Sequence, residues 1–380
     1  MKKRTFWMHG IDEIDPHTSA MRLRDKGISA VVIDNPRHTA AIAAAGLDVW
    51  LYATCFALDE LLDEDSYKTV DITGRPQAWF GCGCPNNPTL QEHDFELVRR
   101  LAATPEIKGI FIGRCRFASP AAGLNAFLTC FDDICRQKAE NMGYDFAQTR
   151  RDVRFLYQSL KGKKQAHERR GLMWFKGPAG VVEWLMDHPG LLDWLRFRRS
   201  SITEHFHALS EIVHSAGLRL GVYLFTPSLA PLVGQSYIDL RDLVDVFAPI
   251  IFRNCPQKPC EACLAWEITA IPDELSVGGT SIESLVTSIM LSWTRMAGPV
   301  TERTIAGLRS GGISPEAAAR ESILARSLIG KNKELAPVIN MGDPLLGETA
   351  TLIFANGANG MNFFRFKDNW EKLVAPALKD

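Results

Sequence analysis

Short, continuously apolar runs alternate along the chain with longer stretches in which apolar positions recur every three or four residues. Eight of the short runs read as strands: 5–9, 30–34, 49–54, 109–113, 220–225, 246–252, 336–341 and 361–366. Nearly all lack polar alternation, which is the pattern of parallel strands covered on both faces. Gly27, Gly46 and Gly217 each stand just ahead of a strand, where a helix C-terminus needs left-handed backbone. Thr89-Leu90-Gln91-Glu92 has the form of a capping box, and Ser314-Pro315 that of an N-cap followed by proline. Strands interleaved with helices in this way predict an α/β fold, a single (β/α)8 TIM barrel. The rival doubly wound sheet would carry a glycine-rich turn after its first strand; His9-Gly10-Ile11-Asp12 stands there instead. The expected organisation is one TIM-barrel domain over 1–380, with long insertions after strands 3, 4 and 6 at about 56–107, 116–217 and 254–334. Each insertion lies in a βα connection, on the side of a barrel where active sites are built.

Composition narrows the partners. Hydrophobic residues make up 46% and charged residues 23% of the 380, enough for a large core without disulfides. Lys+Arg 43 against Asp+Glu 44 leaves a net charge of −1, which argues against a nucleic-acid coat or a membrane-surface protein. Met1-Lys2-Lys3-Arg4 is followed by Phe6-Trp7-Met8 and then His9, without the apolar core of a signal peptide. Nine cysteines, an odd and modest number, read as reduced thiols. The expectation is a cytoplasmic protein with a small-molecule partner, no nucleic acid, no membrane and no cofactor.

Several segments carry a resemblance. They are Cys84-Pro85-Asn86-Asn87-Pro88, then 109–117, then Cys130-Phe131-Asp132-Asp133-Ile134-Cys135, then Trp194-Leu195-Arg196-Phe197-Arg198, and the run 224–237 through Gln235 and Tyr237. Through them the stretch from about 84 to 253 resembles a group of glycoside-hydrolase-like TIM barrels. The resemblance implies a carbohydrate-active enzyme with an acid at the end of strand 4. This chain has Gly113 at that place, and Asp132 where the resemblance implies a third cysteine.

Glycoside hydrolysis usually needs two carboxyl groups flanking the scissile bond. Asp34, Asp343 and Glu267 are the candidates. Asp34 ends an apolar strand and precedes Asn35-Pro36; it reads equally as catalyst or cap. Asp343 precedes Pro344, and N-capping is the stronger reading for it. Glu267 sits beside Trp266, which offers a sugar-stacking wall, against a surface Glu on a helix with Trp in the core. Arg114, Arg116, Arg253, Arg365 and Lys367 fall at or just beyond strand ends. Such guanidinium forks suit a uronic acid or sugar phosphate, or else internal pairing with Asp34, Asp343 and Asp368. His9, Gln235, Tyr237 and Asn340 complete the expected substrate-binding set.

No metal ligand set is expected. Cys255-x4-Cys260-x2-Cys263 has knuckle-like spacing but no marked fourth ligand, and free thiols are the favoured reading. His205-Phe206-His207 lies in a helical stretch, where residues two apart do not share a face. The function expected from the sequence is hydrolysis of a small glycoside, with an anionic sugar as one reading of the arginines. Two rivals stand beside it: a sugar-acid lyase, isomerase or epimerase, and a sugar-binding barrel without catalysis.

Overall fold

The computed structural model describes residues 4–161, 178–254, 263–275 and 305–378. Eight parallel strands form a ring: β1 (Thr5–His9), β2 (Ala30–Ile33), β3 (Asp48–Thr54), β4 (Gly109–Gly113), β5 (Arg219–Leu224), β6 (Val246–Pro249), β7 and β8 (Gly360–Phe364). Strand β7 comes in two pieces, Glu334–Leu335 and Val338–Asn340, the first on β6 and the second on β8. Pro337, which has no N–H, stands in the gap. The ladder continues across it, because Ala336 N donates to Phe247 O at 2.8 Å and Ile251 N to Val338 O at 3.0 Å. Pairing of β8 with β1 completes the circuit, giving the TIM-barrel-like fold that the apolar runs predict.

Large rings fill the interior, and glycines make room for them. Trp7, Trp50 and Phe111 meet edge-on or tilted at centroid distances of 5.1–5.5 Å. A Cβ added to Gly109 would run into Trp50, and one added to Gly221 would stand 2.6 Å from Phe111. Nearer the C-terminal ends, His9, Tyr52, Tyr223 and Phe364 form the next layer. There Gly113 faces Tyr52, and a Cβ at 113 would collide with the phenol oxygen. An acid on that residue has no space; the ring from β3 occupies it.

The handoffs before β2, β3 and β5 follow the glycine pattern, with φ of 92°, 86° and 71° at Gly27, Gly46 and Gly217. Ser314 caps the Pro315–Ile329 helix, accepting from Ala317 N at 3.3 Å. The capping box at Thr89 is corrected. Asn87 caps the Pro88–Ala102 helix, its side chain accepting from Thr89 N and Leu90 N at 3.0 and 3.3 Å. Pro88 takes the first helical position, which pulls the helix start two residues earlier. The Pro189–Ser215 helix turns Trp194, Arg198, Ile202, His205 and Leu209 inward, so His205 is buried while His207 points outward to Glu211.

Candidate active site

The ends of β1, β3, β5 and β8 meet in one polar cluster. His9 Nδ1 lies 3.0 Å from Tyr223 Oη, and Asn362 Nδ2 donates to the same oxygen at 3.1 Å. The assignment that satisfies all three has Tyr223 donating to His9 Nδ1, which leaves the imidazole proton on Nε2. Burial, followed by the positive charge of Arg365, lowers His9 to about 4, so the ring is neutral at physiological pH. Burial also pushes the Tyr223 phenol well above its ordinary range, keeping it a donor. Asn362 is fully buried, and its Oδ1 has no hydrogen-bond partner among the described residues.

Asp34 stands just past β2 at the rim of this cluster. Partial burial, and then the negative Glu13, raise its carboxyl above the usual range. Glu13 belongs to the loop after β1. The charge of Asp34 also reaches the phenols of Tyr52 and Tyr223. Among the described residues no ion pair holds the Asp34 carboxylate.

The other two candidate carboxylates are taken up by the protein. Asp343 forms a buried two-pronged pair with Arg253, with Nε to Oδ2 at 2.9 Å and Nη2 to Oδ1 at 2.6 Å. It also accepts from Leu345 N at 3.0 Å, but the N-capping expected of it is corrected: the next helix starts at Leu346 with Leu345 as its N-cap, so Asp343 and Pro344 lie in the turn before it. Arg253 Nη1 donates to Gly311 O and Ile313 O at 3.0 and 2.6 Å, so this guanidinium ties the β6 end to a later loop. Glu267 is on the Leu264–Leu275 helix but is not a surface residue; it is 1% exposed. It accepts from Ser119 Oγ at 2.7 Å and Ala121 N at 3.0 Å, clamping the segment after β4. Trp266 is buried as well, with the Arg309 guanidinium 4.3 Å from its ring.

The remaining expected binding residues divide in the same way. Gln235 accepts from Phe225 N at 2.7 Å and donates to Cys115 O at 3.0 Å; Tyr237 Oη donates to Phe225 O at 2.7 Å. Both are buried and lock the loops after β4 and β5 together. Asn340 bridges Asn254 O and Gly342 N at 3.1 and 3.0 Å. Arg116 is buried, its guanidinium 4.1 Å from the Trp79 ring and 4.7 Å from that of Phe225. Arg114 and Arg365 are exposed. Both directly follow barrel strands, and both have left-handed backbone, with φ of 56° and 66°. Such strain costs roughly 1–3 kcal/mol per residue and tends to gather at functional sites. Arg365 acts electrostatically on His9, and Arg114 on Tyr52. Arg114 Nη1 also donates to Phe80 O at 2.9 Å, beside a phenylalanine ring that is 49% exposed.

Sequence reasoning missed Tyr52, Tyr223, Asn362, Glu13 and Phe80. The first three lie inside apolar strand runs, where a polar ring or amide reads as core filler; their inward phase on β3, β5 and β8 was the available signal. Of the cysteine run after β6, Cys255 and Cys260 lie outside the described residues, while Cys263 is buried beside Phe252. Among the described residues two other groups have donors suited to a metal: Cys55 with Cys115 and His205, all buried, and Cys84 with Cys135 and the half-buried Asp132. No described helix is long and apolar enough to cross a membrane.

No family model matches the chain, and no curated protein matches it. Solved structures do. The PgaB (BpsB) glycoside hydrolase domain from Bordetella bronchiseptica aligns over 99% of this chain and 97% of its own, with TM-score 0.51 and 11% identity. A β-galactosidase from Bacillus circulans sp. alkalophilus aligns over 96% of this chain, with TM-score 0.51 and 13% identity. A β-galactosidase from Rahnella sp. R3 aligns over 96% as well, with TM-score 0.54 and 11% identity. This chain spans about half the length of each β-galactosidase, 51% and 50%. At these identities the likeness is one of fold, and the fold it describes is the barrel seen in glycoside hydrolases.

Proposed function

We propose that this protein is a glycoside hydrolase acting on a small anionic glycoside, with Asp34 as its general acid. The observation that supports the reading is the Asp34 carboxyl: raised by partial burial and by Glu13, held by no ion pair among the described residues, and standing at the same end of the barrel strands as the exposed Arg114 and Arg365. An acid that holds its proton to higher pH than an ordinary carboxyl, with a second carboxylate near it, suits the division of labour that glycoside cleavage needs. Asp34 gives its proton to the glycosidic oxygen as the bond to the anomeric carbon breaks. Glu13 takes the proton of the water that adds to that carbon. Neutral His9, with Nε2–H available, donates to a sugar hydroxyl. Arg114 and Arg365 receive the substrate's carboxylate or phosphate, and Phe80 offers an exposed ring face for the sugar. The barrel likeness to glycoside hydrolases supports the reaction class by analogy of fold.

A second reading has its own observation. Tyr52 fills the space where an acid on β4 would stand, which favours a barrel that binds sugar without cleaving it. Substrate charge is tested by calorimetry with a phenyl uronide and the matching neutral phenyl glycoside. The uronide is expected to bind at least tenfold more tightly, a difference of about 1.4 kcal/mol. Arg365→Ala is expected to abolish most of that preference. Tighter binding of the neutral glycoside contradicts the anionic assignment.

A further inference from the structure

Between the ends of β3 and β4 and the helices that cover them lies a group of side chains for which the sugar chemistry has no use. Cys55 is the first residue after β3, and Cys115 the second after β4. His205 comes from the inner face of the Pro189–Ser215 helix, and Asp94 from the Pro88–Ala102 helix. All four are at most 2% exposed. One donor atom from each of Cys55, Cys115 and His205 lies within 4.8 Å of the other two. His205 Nε2 stands 3.0 Å from Asp94 Oδ2, while both Asp94 oxygens take the Phe56 N–H at 3.0 Å. The rings of Phe56 and Phe95 flank the imidazole at 4.6 and 4.9 Å and hold its plane. Neither imidazole nitrogen makes a hydrogen bond among the described residues; with Nε2 standing against the carboxylate, Nδ1 is the nitrogen left for the thiols.

We propose that Cys55, Cys115 and His205 form a zinc site, with Asp94 as the carboxylate that orients the histidine. Two thiolates and a neutral imidazole are the donors zinc prefers, and two thiolates cancel the charge of the ion, which suits complete burial. Around a tetrahedral zinc with bonds of about 2.3 Å, two sulfurs stand roughly 3.8 Å apart, so the three donors close by about an ångström or less. A carboxylate on the far nitrogen of a ligating histidine is the usual outer partner at such sites.

The second group is less suited. Cys84 Sγ and Cys135 Sγ are 3.5 Å apart, but Asp132 caps the Asp133–Asn141 helix by accepting from Cys135 N at 2.7 Å. Cys135 Sγ already accepts from Asn86 Nδ2 at 3.3 Å, and no histidine joins the group. Zinc at the first site would bind two adjacent strand ends to two helices. Cys115 lies between Arg114 and Arg116 and receives Gln235 through its carbonyl, so the ion would anchor the loop that presents Arg114.

The test uses the full chain, purified under reducing conditions, loaded with zinc and freed of excess. Metal analysis is expected to find one zinc per chain. X-ray absorption at the zinc edge is expected to show sulfur neighbours together with imidazole outer-shell scattering, which the Cys84 group does not supply. Cobalt(II) in place of zinc is expected to give thiolate-to-metal charge-transfer bands. Asp94→Asn is expected to weaken zinc binding by about 10–100-fold. Cys115→Ser is expected to abolish stoichiometric zinc, whereas Cys84→Ser leaves it unchanged. Folded wild-type protein without stoichiometric zinc overturns the proposal. So does zinc without imidazole scattering, or zinc undiminished by Cys115→Ser. If Cys115→Ser fails to fold, the wild-type spectrum and the Asp94→Asn affinity decide.

Discussion

His9 is neutral because the barrel surrounds it with rings and because Arg365 repels a second positive charge. This has a consequence for stability. The unfolded imidazole titrates at 6.5, the folded one at about 4. Above pH 6.5 both states are neutral, and the contribution is intact. Between about 6.5 and about 4 only the unfolded state takes up a proton, so stability is lost as pH falls through that window. The loss attributable to His9 is about 3 kcal/mol across the window. Urea unfolding at stepped pH is expected to show this slope in the wild type, and His9→Gln to flatten it. A slope unchanged by His9→Gln would mean that other groups carry it. At the residue scale the sequence was readable where a side chain ends a strand. Asp34 and His9 were legible in that way. Gly113 was legible as a departure, but its cause was not, because the Tyr52 ring that excludes a side chain there comes from a neighbouring strand.

Among elements, the apolar runs located every barrel strand because parallel strands buried on both faces cannot carry polar alternation, but they missed the short antiparallel pair Thr69–Val70 and Pro76–Gln77. Their ends were less legible. The run at 246–252 ends as a strand at Pro249, although Ile250 and Ile251 still donate backbone hydrogen bonds to Leu224 O and Val338 O. Long-range pairing was invisible in the sequence, and it decides what the polar residues do. Arg253 and Asp343 are 90 positions apart and form one buried pair. Arg253→Met leaves the Asp343 carboxylate buried without its partner and frees the carbonyls of Gly311 and Ile313. The expected cost is about 3–5 kcal/mol in unfolding free energy. The double variant Arg253→Met/Asp343→Asn is expected to recover part of that loss, since no buried charge remains. Equal stability of wild type and Arg253→Met would show the pair to be dispensable.

Across the whole molecule, buried acids hold the loops of the mouth from behind. Glu267 clamps the segment after β4 through Ser119 and Ala121. Glu321, from the Pro315–Ile329 helix, clamps the one after β5 through Thr226 Oγ1 and Ser228 N at 2.8 and 2.9 Å. Burial raises the Glu321 carboxyl, consistent with a structural post rather than an open catalytic group. Composition could suggest acids in the inserts but not which would be internal, since helical spacing does not say what a helix packs against. Asp34 and Glu13 stay open to solvent at this end of the barrel, as do Arg114 and Arg365. The most direct test is turnover of a chromogenic uronide by the wild type and by Asp34→Asn across pH. Measurable release by the wild type is expected, with activity falling above the raised acid pKa, and a drop of about 10²–10⁴-fold in Asp34→Asn. Turnover undiminished in Asp34→Asn, or a wild type that binds the uronide without cleaving it, would contradict the proposed function.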